Sequence, residues 1–329
     1  MTTTDNHAFW ITGPGQGELI TADLAKDTGS SANDPWVTVQ TRFSGISRGT
    51  ESLVFNQRVP PAEYQRMRAP FQEGDFPYPV KYGYASVGDV IEGPDALRGQ
   101  TVFCLYPHQQ RYRVPASAVT VLPGGVPPAR AVLAANMETA VNGVWDAMPA
   151  VGDRVAVVGL GVVGLLAAWL IRQIPGVELL GIDTNLAREP VARRLGVPFS
   201  ASTVLNNCDL VIHASGHEAG LASALAMAGP EARLVELSWY GDKPVSVPLG
   251  HAFHPNRLCL KSSQVGTLPP HRQPRWDYAR RLKLALSLLR ADELDALISG
   301  ESTFSALPSI AADILAPGAD ALCHRITYL

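Results

Sequence analysis

The chain has 329 residues, 46% of them hydrophobic and 17% charged, which excludes global disorder and supplies the cores of about two domains. With 27 Lys and Arg against 30 Asp and Glu the net charge is -3, so a basic footprint for nucleic acid is excluded. The longest apolar stretch, 155–171, is broken by glycines and stops at Arg172, short of the roughly 18 residues that a bilayer span takes. Residues 1–7 have no basic segment followed by an apolar one, so no secretory signal is expected there. Cys104, Cys208, Cys259 and Cys323 form no C-x-x-C pair, a pattern that suits reduced thiols in a cytoplasmic protein.

In chain order, 9–12 and 18–21 read as a hairpin around the turn residues 13–17. Residues 36–41 alternate like a half-buried strand, and 87–91, 101–105 and 111–114 follow in the same style. Prolines at 60, 61, 70, 77 and 79 predict loop between them. This half reads as β-rich. Near residue 136 the character changes. A buried strand at 154–158 leads to an apolar helix at 162–173. Then come a strand at 177–182, a helix at 187–195 with Pro190 in its first turns, and a strand at 208–213. A helix at 218–228 and strands at 233–237 and 257–261 complete an alternation that predicts a doubly wound parallel sheet. The tail carries a mixed-charge helix at 276–290 and a strand at 325–329.

The strongest motif is Gly159-Leu160-Gly161-Val162-Val163-Gly164, between the first buried strand and the apolar helix. The first glycine permits a tight turn, the second lets a pyrophosphate approach the backbone, and the third lets helix and strand pack closely. The anion then meets unpaired N–H groups at the positive end of the helix dipole. Asp183, at the end of the second strand, is suited to accept from both ribose hydroxyls and to repel a 2′-phosphate, with Thr184 beside it. NAD is therefore the expected cofactor. NADP stays open, because Arg188 either pairs with a 2′-phosphate or is a solvated helix residue. Ligands bind beyond the carboxyl ends of strands in such sheets. This nominates Ala214, Ser215 and Gly216, then Ser238, Trp239 and Tyr240, then Ser263, Gln264 and Val265 for the nicotinamide side.

From Trp36 onward the chain resembles the medium-chain dehydrogenase/reductase family, the zinc alcohol dehydrogenases and their relatives. The resemblance is carried by Ser44-Gly45-Ile46-Ser47-Arg48-Gly49-Thr50-Glu51, Gly83-Tyr84-Ala85-Ser86-Val87-Gly88, Met137-Glu138-Thr139-Ala140, Gly152-Asp153-Arg154-Val155, the glycine motif and Gly181-Ile182-Asp183-Thr184-Asn185. It implies an α/β chain: a GroES-like catalytic domain at 1–136 and 267–329, and a Rossmann domain inserted at 137–266. It also implies a homodimer. The family's catalytic zinc ligands are missing: Ser47 stands for a cysteine, Gly83-Tyr84-Ala85 for Gly-His-Glu, and Ala135 for a further cysteine. Serine, tyrosine and alanine make no zinc site, so no metal is expected. His108, His213 and His217, or the pair His251 and His254, are the remaining histidines that a metal could recruit. The first two motifs look closest to a zinc-less branch that contains the bacteriochlorophyllide hydroxyethyl dehydrogenases.

Without zinc, a hydrogen-bond donor must serve the alcohol or carbonyl oxygen. Tyr84 is the first candidate, with Lys81 or Arg48 as cations that would lower its pKa; the alternative is a tyrosine packed into a vacant metal pocket. Ser47 and Thr50 would relay the proton. In the family an arginine at the place of Arg48 often reaches the cofactor pyrophosphate, and Thr139 belongs to the same cofactor side. Glu138 is either a base or a salt-bridge partner. The expected activity is hydride transfer between NAD(P) and a secondary alcohol or ketone. An enone or quinone reductase using NADPH, and a non-catalytic NAD(H)-binding sensor or scaffold, are the alternatives.

Overall fold

The computed structural model describes residues 6–24 and 34–328. Part of the N-terminal segment read for a signal, residues 1–5, lies outside these, as does Leu329 of the final strand. In chain order the elements begin with β1 (His7–Gly13), β2 (Gln16–Thr21), β3 (Trp36–Ser47), α1 (Arg48–Phe55), β4 (Glu73–Gly74), β5 (Val80–Lys81), β6 (Ser86–Glu92), β7 (Thr101–Cys104), β8 (Arg111–Pro115) and β9 (Val119–Val121). Then follow α2 (Ala134–Ala147), β10 (Arg154–Val158), α3 (Val162–Ile171), β11 (Glu178–Ile182), α4 (Arg188–Arg194), β12 (Phe199–Ser200), β13 (Cys208–His213), α5 (Glu218–Met227), β14 (Ala228–Glu236) and β15 (Cys259–Ser262). The chain closes with α6 (Tyr278–Leu288), β16 (Ile298–Thr303), α7 (Leu307–Leu315) and β17 (Cys323–Thr327).

These elements form two compact units. The first comprises Met1–Ala135, Leu286–Asp292 and Ile298–Leu329, and the second Asn136–Ala285 and Glu293–Leu297. The second is thus inserted into the sequence of the first. The chain re-enters the first unit at Leu286–Asp292 and again from Ile298.

The first unit holds a seven-stranded sheet in the order β16-β17-β3-β6-β7-β9, with β8 also on β3, and a small sheet β2-β1-β5-β4. Val37, Val39, Val90, Val102, Tyr112 and Val114 are fully buried between its layers, because the alternate residues of these strands point the same way. The β1–β2 turn is tighter than its five turn-forming residues suggest. Pairing continues to Gly13↔Gln16, and Gly15, at φ 69°, supplies the left-handed step.

The second unit holds a parallel six-stranded sheet in the order β12-β11-β10-β13-β14-β15. β10 reads Arg-Val-Ala-Val-Val with four successive buried residues, as expected of a strand covered on both faces. α3 is apolar all round and correspondingly buried. The order reverses direction at β10: β11 lies on one side and β13 on the other. That reversal opens a crevice at the carboxyl end of β10, where the glycine motif falls.

One buried polar link braces the second unit. Arg281 on α6 donates from Nε to Glu138 Oε1 at 3.1 Å, from a terminal nitrogen to Asn142 Oδ1 at 2.5 Å, and from the other to the Val265 carbonyl at 2.7 Å. Burial pushes the Glu138 carboxyl up, and the guanidinium only partly offsets it. Arg281→Met removes that offset, so Glu138 protonates still more readily in the folded state than in the unfolded chain. The variant should lose about 3 kcal/mol of unfolding free energy above the carboxylate range. Part of the loss should return as pH falls toward the unfolded-state carboxylate value, about 4.3, where Glu138 is neutral in both states. Urea melts of the two proteins at neutral and acid pH measure this.

Candidate active site

In the second unit the chain turns sharply after β10, where Gly159 has φ 92°. A Cβ at Gly159 would stand 2.4 Å from the Ser215 nitrogen, and one at Gly164 would stand 1.9 Å from the Gly159 oxygen. Both positions therefore admit only glycine. Gly161 differs: a Cβ there meets no protein atom within 4 Å. Gly161 caps α3, with the half-buried Val162 and Val163 opening the helix. The open space thus faces a helix N-terminus whose first N–H groups have no partner within the helix. The loop is held by Asp183, whose Oδ2 accepts from the Leu160 N–H at 2.7 Å and whose Oδ1 accepts from the Asn185 N–H at 2.8 Å. Each carboxylate oxygen keeps a further lone pair for a ribose hydroxyl. Thr184 is exposed beside it. Arg188, which could have been a solvated helix residue, is buried at the start of α4. This cradle fits a dinucleotide.

The strand ends on the other side of β10 carry Ala214, Ser215 and Gly216 after β13, and Ser238, Trp239 and Tyr240 after β14; all six are half-buried, and the backbone turns at Gly216, φ 66°. The next segment also braces the unit. Ser263 Oγ donates to Asp146 Oδ2 at 2.7 Å, and the Gln264 and Val265 carbonyls accept from Asn142 and Arg281. Thr139 lies half-buried on α2, one residue after Glu138, which is the salt-bridge partner of Arg281.

In the first unit, the end of β3, the start of α1 and the loop before β6 bring Ser47, Thr50 and Tyr84 together. Both hydroxyls hydrogen bond to the Tyr84 phenol. The cations proposed to acidify Tyr84 are elsewhere. Lys81 is buried against Glu73 and Gln109, 2.6 Å from the latter's Oε1, and sits 5.2 Å from the Tyr106 ring. Arg48 donates to the Ala316 carbonyl at 3.3 Å. Tyr84 is instead pushed well above the ordinary phenol value, first by burial and then by the Glu51 carboxylate, and the Ser47 and Thr50 bonds do not reverse this. The phenol is therefore protonated throughout the neutral range. It is a donor and not a resting base.

Glu51 is the feature that the residue patterns did not single out. It is buried on α1, and its Oε1 accepts from the Ser47 N–H at 2.6 Å. Its Oε2 lies 3.0 Å from His108 Nε2. With that nitrogen donating, His108 Nδ1 accepts the Ser44 hydroxyl proton at 2.7 Å, and Ser44 accepts from the Tyr328 phenol at 2.9 Å. Cys323, opposite Ser47 in the β17–β3 pairing, is buried, and burial with the nearby Glu51 pushes its thiol up to about 12. The zinc of the resembled family does not fit here. Glu51 and His108 are spent on each other, and Ser47, Tyr84 and Ala135 are poor ligands. Among the described residues no three His, Cys, Asp or Glu side chains are arranged to hold a metal ion.

No protein-family model matches the chain. The D-guloside 3-dehydrogenase of Escherichia coli (strain K12) is 25% identical over 305 residues, which cover 83% of this chain and 87% of that protein. The L-threonine 3-dehydrogenase of Bacillus subtilis (strain 168) is 30% identical over 150 residues, 42% of this chain and 43% of that one. Among solved structures, a short chain alcohol dehydrogenase from E. coli CFT073, complexed with the cofactor NADH, superposes with a TM-score of 0.76 at 18% identity, covering 98% of this chain and 99% of that one. The chain has the alcohol dehydrogenase fold, a GroES-like β-rich part and a doubly wound Rossmann part. No helix among the described residues is long and apolar enough to cross a membrane.

The Glu51 cluster has a stability consequence. Glu51→Ala strips the acceptor from the Ser47 N–H and from His108 and should cost about 3 kcal/mol. Glu51→Gln keeps an acceptor oxygen and should cost about 1 kcal/mol. Denaturant melts that rank the two the other way would contradict this.

Proposed function

We propose that this chain is a zinc-independent, NAD(P)-dependent dehydrogenase that moves a hydride between nicotinamide and a secondary alcohol or ketone. The observation that carries the reading is the open cradle at Gly161, with Asp183 behind it. That arrangement suits an adenine dinucleotide, and the NADH-bound structural neighbour and the two dehydrogenase relatives support it. The Asp183 carboxylate favours NAD over NADP. The bound nicotinamide supplies or accepts the hydride.

The remaining chemistry is assigned to this chain's own groups. The Tyr84 phenol, held protonated by burial and by Glu51, donates a hydrogen bond to the substrate oxygen. In ketone reduction it yields its proton as the oxygen gains charge, and the Ser47 and Thr50 hydroxyls that hold the phenol relay a proton from solvent to replace it. Arg48 and Thr139 are assigned to the cofactor side, as are Arg188 and the strand-end residues 214–216, 238–240 and 263–265. The four thiols suit a reducing compartment, and a homodimer is the assembly that the family resemblance favours. The motif likeness to bacteriochlorophyllide hydroxyethyl dehydrogenases puts a hydroxyethyl group on a flat ring system first among secondary alcohols to assay, with sugar derivatives next. An NADPH-dependent enone or quinone reductase is the second reading, which Asp183 disfavours.

Three measurements test the assignment. In fluorescence titrations NADH should bind about tenfold more tightly than NADPH, a charge effect of roughly 1.4 kcal/mol. Gly161→Val should weaken binding by more than about tenfold and leave the melting temperature within a few degrees, because its side chain enters open space. Once the substrate panel yields turnover, Tyr84→Phe should lower kcat by about 100-fold or more at unchanged NADH affinity. Full activity in Tyr84→Phe removes Tyr84 from the chemistry, and no binding of either nucleotide removes the dehydrogenase reading.

A further inference from the structure

β13 and β14 end in an unusual pair. His213, fully buried, is the last residue of β13, and Glu236, directly opposite in the parallel register, is the last of β14. His213 Nδ1 lies 2.6 Å from Glu236 Oε2, and the Tyr240 phenol donates to that same oxygen at 2.9 Å. Glu236 Oε1 accepts from the Ser238 N–H at 2.7 Å. On its other side His213 Nε2 lies 2.6 Å from Ser215 Oγ, which accepts from the His217 N–H at 3.1 Å. Burial raises the Glu236 carboxyl, but the His213 and Ser238 interactions outweigh it and leave the group below its ordinary value. The carboxylate is therefore ionised in the neutral range. His213 thus stands between Glu236, on its Nδ1 side, and the Ser215 hydroxyl, on its Nε2 side. His213 from β13 and Tyr240 from the segment after β14 are the titratable groups on Glu236, and Tyr240 is held protonated by burial and by that carboxylate. Lys261 on the neighbouring β15 is tied to Asp146 at 2.6 Å.

This cluster adjoins the dinucleotide cradle, because the Ser215 backbone is what closes on Gly159. A dinucleotide with its ribose on Asp183, at the end of β11, and its pyrophosphate at the α3 N-terminus must continue over β13 and β14, on the far side of β10. Its nicotinamide end therefore comes to the edge that carries Glu236. The two forms of the ring differ by one charge: NAD+ has a cationic ring and NADH a neutral one.

We propose that the Glu236–His213 pair sets which oxidation state of a bound pyridine dinucleotide the protein prefers. The Glu236 carboxylate, held by His213, Tyr240 and the Ser238 N–H, carries one negative charge, which favours the cationic ring of NAD+ over NADH. The inference rests on the proposed dinucleotide site and deepens it.

The test measures Kd for NAD+ and for NADH on the full-length protein at neutral pH, by NADH fluorescence and competition. Glu236→Gln should lower the ratio Kd(NADH)/Kd(NAD+) about tenfold, mainly by weakening NAD+. His213→Asn, which keeps the carboxylate and a polar neighbour, should leave the ratio close to that of the wild type. A Glu236→Gln ratio equal to that of the wild type overturns the inference. Failure of both nucleotides to bind is a different result: it removes the dinucleotide site itself, and the inference with it.

Discussion

One buried carboxylate organises the first unit. Glu51 receives the Ser47 N–H and faces His108, and its charge reaches Tyr84, Tyr82, Tyr328 and Cys323. A buried carboxylate needs hydrogen-bond donors. Burial and Glu51 together push the phenols of Tyr82 and Tyr84 and the Cys323 thiol above their ordinary values. The result is a cluster of hydroxyl and thiol groups around one carboxylate.

The second unit works on the opposite sign. Its cradle is built from N–H groups at a helix start, and the two glycines that close it do so because no Cβ would fit. Asp183 ties the loop to the end of β11 through two backbone N–H groups, so one carboxylate both shapes the loop and offers its remaining lone pairs. The buried Arg281–Glu138 pair holds α6 against α2 in the same unit. Glu138 is thus a charge in the scaffold, whereas Glu236 stands at a strand end beside the cradle.

The sequence pattern carried the local features well. The alternation of apolar strands and helices, the glycine motif after a buried strand and the acid at the end of the next strand all depend on short-range periodicity and steric need, and each stands where the pattern put it. The convergence of Ser47, Thr50 and Tyr84 was legible only through family resemblance, since strand pairing brings them together. Pairings between distant residues were not legible. His108 and Glu51 are 57 positions apart, and Arg281 and Glu138 are 143 apart. The guess that Lys81 would acidify Tyr84 failed for the same reason. Three positions separate them in the chain, but strand alternation and the turn at Gly83, φ 130°, send Lys81 to Glu73 and Gln109. Where two charges meet is set by topology, which composition and spacing leave open.

The central claim is that a hydroxyl acid and a bound dinucleotide suffice, with no metal ion. Turnover measured before and after exhaustive dialysis against a chelator, with zinc and iron counted by mass spectrometry on the same samples, tests it most directly. The account predicts far less than one metal ion per chain at both stages and an unchanged rate. Stoichiometric zinc whose removal abolishes turnover, and whose return restores it, would contradict the account.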